Sequence, residues 1–178
     1  GAKGNKIAKV TNLIISGKGE ITRLVISDGG FFGIQAEKLA VNFDQLTTNF
    51  SDGENPELQA ALTEEGMKAV AACNEEDMAG DDFMVADVIG KKVALFGTAH
   101  KGELVDFVFN KQGRADYVIL KFDDKTTGGE PKKMAADFKK ITLSRYNDIH
   151  ASTITVDEVK TADRFEYAVS DITIIDKY

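Results

Sequence analysis

Few residues in this chain are equipped for chemistry. His100 and His150 are its only histidines, and Cys73 is its only cysteine. A zinc centre needs several His, Cys or carboxylate ligands converging on one point, and neither histidine has such a cluster at ligand spacing. Cys73 has no base beside it in sequence, so only the fold could activate it as a nucleophile. It reads as an inert thiol. A single cysteine also excludes an intrachain disulfide and a four-cysteine metal site. The densest run of carboxylates, Asn74 to Asp82 (NEEDMAGDD), misses the D-x-[DN]-x-[DN]-G register of a calcium loop and reads as a solvated linker. Adjacent carboxylates such as Asp123-Asp124 give no acid–base signal without a pocket around them.

The stretch Asp28 to Gly33 (DGGFFG) has the composition of a phosphate-binding turn. It lacks the G-x-G-x-x-G spacing and a following helix with free amide groups, so it reads as a tight loop between strands. Its aromatics are more informative. Inward core packing is the favoured role of Phe31 and Phe32, and Phe31, Phe32 and Ile34 are the candidate interaction surface where a ring is exposed. An exposed ring buried by a partner contributes about 1.5–3 kcal/mol. The sequence thus predicts no catalytic residue, no cofactor-binding residue and no metal ligand.

Bulk properties narrow the partners. The 178 residues carry a net charge of −7, which disfavours nucleic acid and anionic membrane surfaces. Lys132, Lys133, Lys139 and Lys140 form the only dense basic group, read as a solvated face. Hydrophobic residues make up 43% and charged residues 29%, the balance of an ordinary globular protein. Eleven Phe and no Trp predict cores built of Phe and β-branched residues. No run of eighteen apolar residues is present, and no signal peptide. The opening Gly1-Ala2-Lys3-Gly4 starts inside what reads as a turn, so a trimmed upstream segment is expected.

The elements that would position any site are mostly strands. Lys6 to Ser16 and Glu20 to Ser27 form a hairpin across Gly17-Lys18-Gly19, and Lys38 to Phe43 alternates apolar and polar as a third strand. Thr48 to Glu57 is polar and reads as a loop. Leu62 opens a helix running to about Ala72, with Thr63 as cap and Glu64 and Glu65 near the positive end of its dipole. Asp106 then aligns with Asn12, and the pattern recurs. Gly102 to Asn110 and Arg114 to Phe122 form a hairpin across Lys111-Gln112-Gly113, preceded by a strand at Lys92 to Phe96. A Gly-containing loop (Asp123 to Pro131) and a closing strand (Lys133 to Ile141) follow. Thr155-Val156-Asp157-Glu158 starts a second acidic helix, and Ser170 to Tyr178 is a final strand.

The expected architecture is mainly β: two tandem small antiparallel β-barrel units, each with a short helical appendage. Unit one covers residues 1–73, an acidic linker 74–82, and unit two 83–178. Leu13–Ile15, Leu24–Ile26 and Tyr117–Leu120 are apolar at consecutive positions, so both faces of these sheets must be covered, by the helix or by the other unit. Unit two has an initial strand, Ile89 to Phe96, whose counterpart in unit one falls mostly before Gly1. The first barrel then has a vacant edge, which Asp171 to Asp176 is expected to fill, within the chain or by strand exchange in a homodimer.

These motifs resemble the PRC-barrel domain family. Gly4 to Ile15 is similar to the family's Gly-x-x-Ile-Gly-x-Val-x-Asp-Leu opening, with Asn12 in place of the Asp. Gly29 to Ile34 resembles its Gly-Gly-Phe-Leu-Gly-Ile loop, and Ala40 to Leu46 its closing strand, with Asn42 in place of Pro. Ile89 to Val93 and Lys101 to Phe109 repeat the match, and Asp123 to Pro131 departs from it. The resemblance covers about half of the chain. It implies a non-enzymatic interaction or assembly module of a bacterial protein, periplasmic or otherwise in the cell envelope, with a protein partner. The alternatives are a small-ligand-binding protein or enzyme whose site forms only on folding, and a cytoplasmic ribosome-linked assembly factor.

Overall fold

The computed structural model describes residues 9–27, 38–50, 58–62 and 69–167. Phe31, Phe32, Ile34 and Asp171 to Asp176 lie outside these residues. The architecture is mainly β, with an antiparallel five-stranded sheet, a curled six-stranded half-barrel and short helices.

The first sheet is built on the hairpin β1 (Lys9–Ile15) and β2 (Ile21–Ser27). It adds β3 (Leu39–Asn42), and a 3₁₀ turn at Phe43–Gln45 leads to the separate hairpin β4 (Leu46–Phe50) and β5 (Leu58–Leu62). β6 (Ala71–Ala72) and β7 (Phe83–Met84) complete the order β6-β3-β2-β1-β7. A helical turn, α1 (Val85–Val88), then leads to β8 (Lys92–Ala94). The second hairpin is β9 (Lys101–Phe109) and β10 (Ala115–Phe122). After it come α2 (Asp124–Thr127), β11 (Lys132–Asp137), a 3₁₀ turn at Phe138–Lys140, β12 (Ile141–Thr142), β13 (Ile149–Ser152) and α3 (Val156–Thr161). The half-barrel runs β11-β10-β9-β8-β13-β12, antiparallel except for the parallel pair β8–β13.

The repeat is written into the backbone. Glu20 and Arg114, 94 residues apart, occupy equivalent places at the hairpin tips. The register of β1–β2 slips at Thr11 and Thr22, and that of β9–β10 slips at the equivalent Val105 and Asp116. Such bulges sharpen the local twist. Beside the first bulge an Asx carboxyl or carboxamide oxygen accepts the next backbone amide: Asn12 from Leu13 at 2.9 Å, Asp106 from Phe107 at 2.8 Å.

The two hairpin tips meet. Ile21 N donates to Gly113 O at 2.8 Å and Ala115 N to Gly19 O at 2.7 Å, a reciprocal exchange flanked by the Arg114–Glu20 ion pair. Gly19 (φ 86°) and Gly113 (φ 78°) hold the left-handed conformation that a side chain resists. A Cβ on Gly19 would lie 2.9 Å from the Phe138 ring, and one on Gly113 would lie 2.6 Å from the Phe43 ring. The two phenylalanines open the two equivalent 3₁₀ turns. Behind this junction one buried cluster takes Leu13, Leu24 and Leu39 from the first sheet and Leu104, Phe107 and Phe122 from the second.

Several sequence expectations need correction. The acidic stretch 74–82 is not a freely solvated linker. Met78 and Asp82 are buried, and Met78 joins Ile14 and Val25 in a small cluster on the outer face of the first sheet. Arg145 clamps the same stretch by donating to Ala79 O at 2.8 Å and Asp82 O at 2.6 Å. The apolar face did need covering, and the one methionine of the acidic run covers it. The helix expected over Leu62 to Ala72 fails at both ends, because Leu62 closes β5 and Ala71–Ala72 pair with Leu39–Ala40. The open edge of β3 outweighs the helix propensity of the alanines. Thr48 to Phe50, expected in a loop, belong to β4. The closing strand stops at Asp137, whose carboxylate accepts from Lys139 N at 2.9 Å and starts the 3₁₀ turn instead. The vacant edge of the first hairpin is taken at Ile14 and Ile15 by β7.

Gly19→Ala and Gly113→Ala should each destabilise the fold by about 2–4 kcal/mol, from the left-handed conformation together with the clash against a core ring. Urea unfolding should show a lowered midpoint with an unchanged slope. A midpoint within error of wild type would contradict the close approach at these turns.

Candidate functional site

Among the described residues one constellation has the composition of a catalytic triad. Thr126 lies with its hydroxyl 3.3 Å from His100 Nδ1 and 2.9 Å from Asp123 Oδ1. The wiring is not that of a nucleophile. The threonine hydroxyl donates to the carboxylate, where a nucleophile would give its proton to the imidazole. Thr126 is also buried, so no substrate carbonyl can reach its oxygen. Asp123 caps α2, accepting from Thr126 N at 3.0 Å as well. The backbone bond, then the hydroxyl bond, holds the Asp123 carboxyl below its ordinary value. This group fastens a helical turn in the stretch read from sequence as a loop, and Gly128 ends that turn in the left-handed conformation.

The other residues singled out in sequence are dispersed. Cys73 is half-buried behind β3, and burial pushes its thiol above the ordinary value against the smaller opposing effects of Arg23 and Lys38. Such a thiol holds little thiolate at neutral pH and is a poor nucleophile. His150 sits on β13, fully buried, with neither ring nitrogen hydrogen-bonded among the described residues. Among the described residues no three His, Cys, Asp or Glu side chains gather at metal-binding distance. The lysines read as a solvated face are partly tied down. Lys132 Nζ donates to Ala162 O at 2.7 Å, and Lys140 Nζ to Glu158 Oε1 at 2.8 Å.

A recess of about 220 Å³ lies between β11 and α3. Its polar groups are already occupied. Lys140 and Glu158 pair across it, and Glu158 also closes the capping box with Thr155, whose hydroxyl accepts from Glu158 N at 3.2 Å. The Lys140 bond is the main reason the Glu158 carboxyl titrates below its ordinary value.

The outer face of the β8–β13 pair offers more. Inward residues Val93, Leu95 and His150 are buried, so the intervening Lys92, Ala94, Phe96, Ile149 and Ala151 point outward. Phe96 is 65% exposed and Ile149 49% exposed. The register places Ile149 beside Lys92 and His150 beside Val93, which puts Ala151 beside Ala94. Phe96 N donates to Ile154 O at 2.7 Å and so holds the phenylalanine at the far end of the strip. The Lys92–Glu103 ion pair, at 3.6 Å, borders it. Sequence reading missed this strip. The alternation Ile149-His150-Ala151-Ser152 carries the signal of a strand.

Comparison with protein-family models, with curated proteins and with solved structures gives no match for this chain.

In the folded protein at neutral pH, Cys73 should react with iodoacetamide more slowly than in the urea-denatured chain, where neither burial nor the raised pKa acts. Quenched alkylation followed by mass spectrometry checks this. Equal rates would show a thiol more exposed and more acidic than its setting in the fold allows.

Proposed function

We propose that the chain is a non-enzymatic protein-interaction or assembly module of a bacterial, envelope-associated protein, composed of two PRC-barrel-like units. The observation that carries the reading is the outward strip Ala94, Phe96, Ile149 and Ala151. Single exposed apolar residues are normal on any surface, whereas here Ala94 and Ala151 lie side by side across two strands and Ile149 and Phe96 extend the apolar row at its two ends. Phe96 offers a protruding ring of the kind that anchors an interface, and Lys92 with Glu103 forms a charged rim.

The doubled hairpin supports the same reading. Its glycine turns, bulges and Asx residues are where the PRC-barrel-like motifs lie, and their work is to hold the backbone. The charge of −7 favours a protein surface over nucleic acid as partner. In this proposal Phe31, Phe32 and Ile34 form a second contact region, and a homodimer by strand exchange is an alternative route to assembly.

Affinity purification from the native host's envelope fraction tests the proposal when wild type is compared with a Phe96→Asp/Ile149→Asp double variant of unchanged circular dichroism. Loss of an anchor typically weakens binding by roughly 10-fold or more, so the specific partner should be recovered from wild type and depleted to that extent from the variant. Recovery of only free protein in both preparations, or equal recovery of the partner with both, would overturn it.

A further inference from the structure

The strand bearing the outward strip has an inner face with an unresolved chemical demand. His150 is fully buried, and among the described residues neither of its ring nitrogens has a hydrogen-bond partner. A buried polar group in this state is costly, and a protonated one more so. Its position matters further. β13 joins the half-barrel through a parallel pairing with β8 of two registered residues, Ile149 with Lys92 and His150 with Val93. On its other side it pairs with the two-residue β12. No strand of the half-barrel is held by shorter pairings than β12 and β13.

We propose that His150 is a pH-sensitive latch: in mildly acidic solution, proton uptake by its ring releases β13 from β8 and opens the half-barrel along this parallel seam while the rest of the molecule stays folded. Among the described residues the charges near the ring are few. Lys91, in the turn before β8, opposes the proton, and Asp148, preceding β13, favours it. These two lie 3.6 Å apart, so much of their effect cancels at the ring. Lys92 on β8 faces outward and is paired with Glu103 of β9, β12 carries no charged residue, and Glu158 of α3 is engaged by Lys140. Burial is the leading influence on His150 and lowers its pKa from 6.5. The sign follows directly. Well above 6.5 the ring is neutral in the closed and opened states, and the seam is at full strength. Below 6.5 the opened state takes up the proton first, so opening is favoured progressively until the closed state also titrates.

Amide hydrogen exchange on the full chain tests this, with rates corrected for intrinsic exchange and compared between about pH 7.5 and about pH 5.5. The seam is reported by Phe96 N, bonded across it to Ile154 O, and by the ladder amides of the β8–β13 pair. Ile21 N and Ala115 N report the hairpin junction. In wild type the opening constant of the seam amides should rise up to about tenfold per pH unit below the ring's unfolded pKa, with the junction amides flat. His150→Leu, and His150→Gln should the leucine variant not fold, should remove the rise. A flat wild-type seam, the same slope in the variants, or an equal rise at Ile21 and Ala115 would overturn the latch. So would an NMR titration of the His150 ring with a midpoint at or above 6.5.

Discussion

Two backbone hydrogen bonds between the tips of two hairpins set the relation between the sheets, and both depend on glycine. Ile21 N to Gly113 O and Ala115 N to Gly19 O form a closed exchange in which each copy of the turn supplies one carbonyl and one amide. Each bond alone is worth about 0.5–1.5 kcal/mol net, a minor share of any fold's stability. Their geometric effect is larger. Fixing tip to tip sets the hairpins so that the inner faces of both sheets share one cluster from Leu13 to Val159. A sheet of two to six short strands gains more by burying its apolar face against another sheet than by standing alone. The rings of Phe138 and Phe43 close over Gly19 and Gly113, filling the space that a Cβ would need.

The two copies differ where their surroundings differ. Asn12 and Asp106 both brace a bulge by accepting the following amide, a task that needs one oxygen. Asn12 is half-buried and uses the same oxygen to take Ala86 N at 3.2 Å, which ties β1 to the turn of α1. Asp106 is fully buried, and its second oxygen takes the Tyr167 hydroxyl at 2.9 Å. A carboxylate without water is stable only where donors replace its hydration, and the tyrosine from the segment after α3 is one of them. That segment is also tied down by Phe165 N on Lys133 O at the edge of β11.

The features legible in the sequence were those in which local chemistry and fold agree. Gly19 and Gly113 mark turns because of their own backbone needs, and the 94-residue spacing of equivalent positions survives in the bulges. Thr155 and Glu158 form a complete capping box, so α3 begins where the residues say it should. The failures were non-local. Ala71 and Ala72 favour helix by propensity, but the unpaired edge of β3 recruits them. Met78 sits in an acidic run with no periodicity, and its burial depends on Ile14 and Val25, far away in sequence. His150 has the alternation of a strand, yet nothing near it in sequence reveals that its inner side is apolar. Ala94 and Ala151 become neighbours, with Ile149 and Phe96 at the two ends of their strip, only through a parallel pairing that no hairpin signal announces.

That parallel pairing links the interior of the half-barrel to its surface. The seam is held at one end by Ser152 Oγ on Ala94 O at 2.6 Å and by Phe96 N on Ile154 O. At the other end Lys91 donates to Asn147 O at 3.2 Å. Between them lie the two registered pairs, with His150 inside and Ile149 outside. A partner seated on the outward strip under the proposed function would touch both strands and bind the closed seam better than the open one. A proton on His150 prefers the opposite state. Two ligands that favour opposite states of one equilibrium weaken each other by the same factor, so partner and proton would be antagonists without sharing a contact.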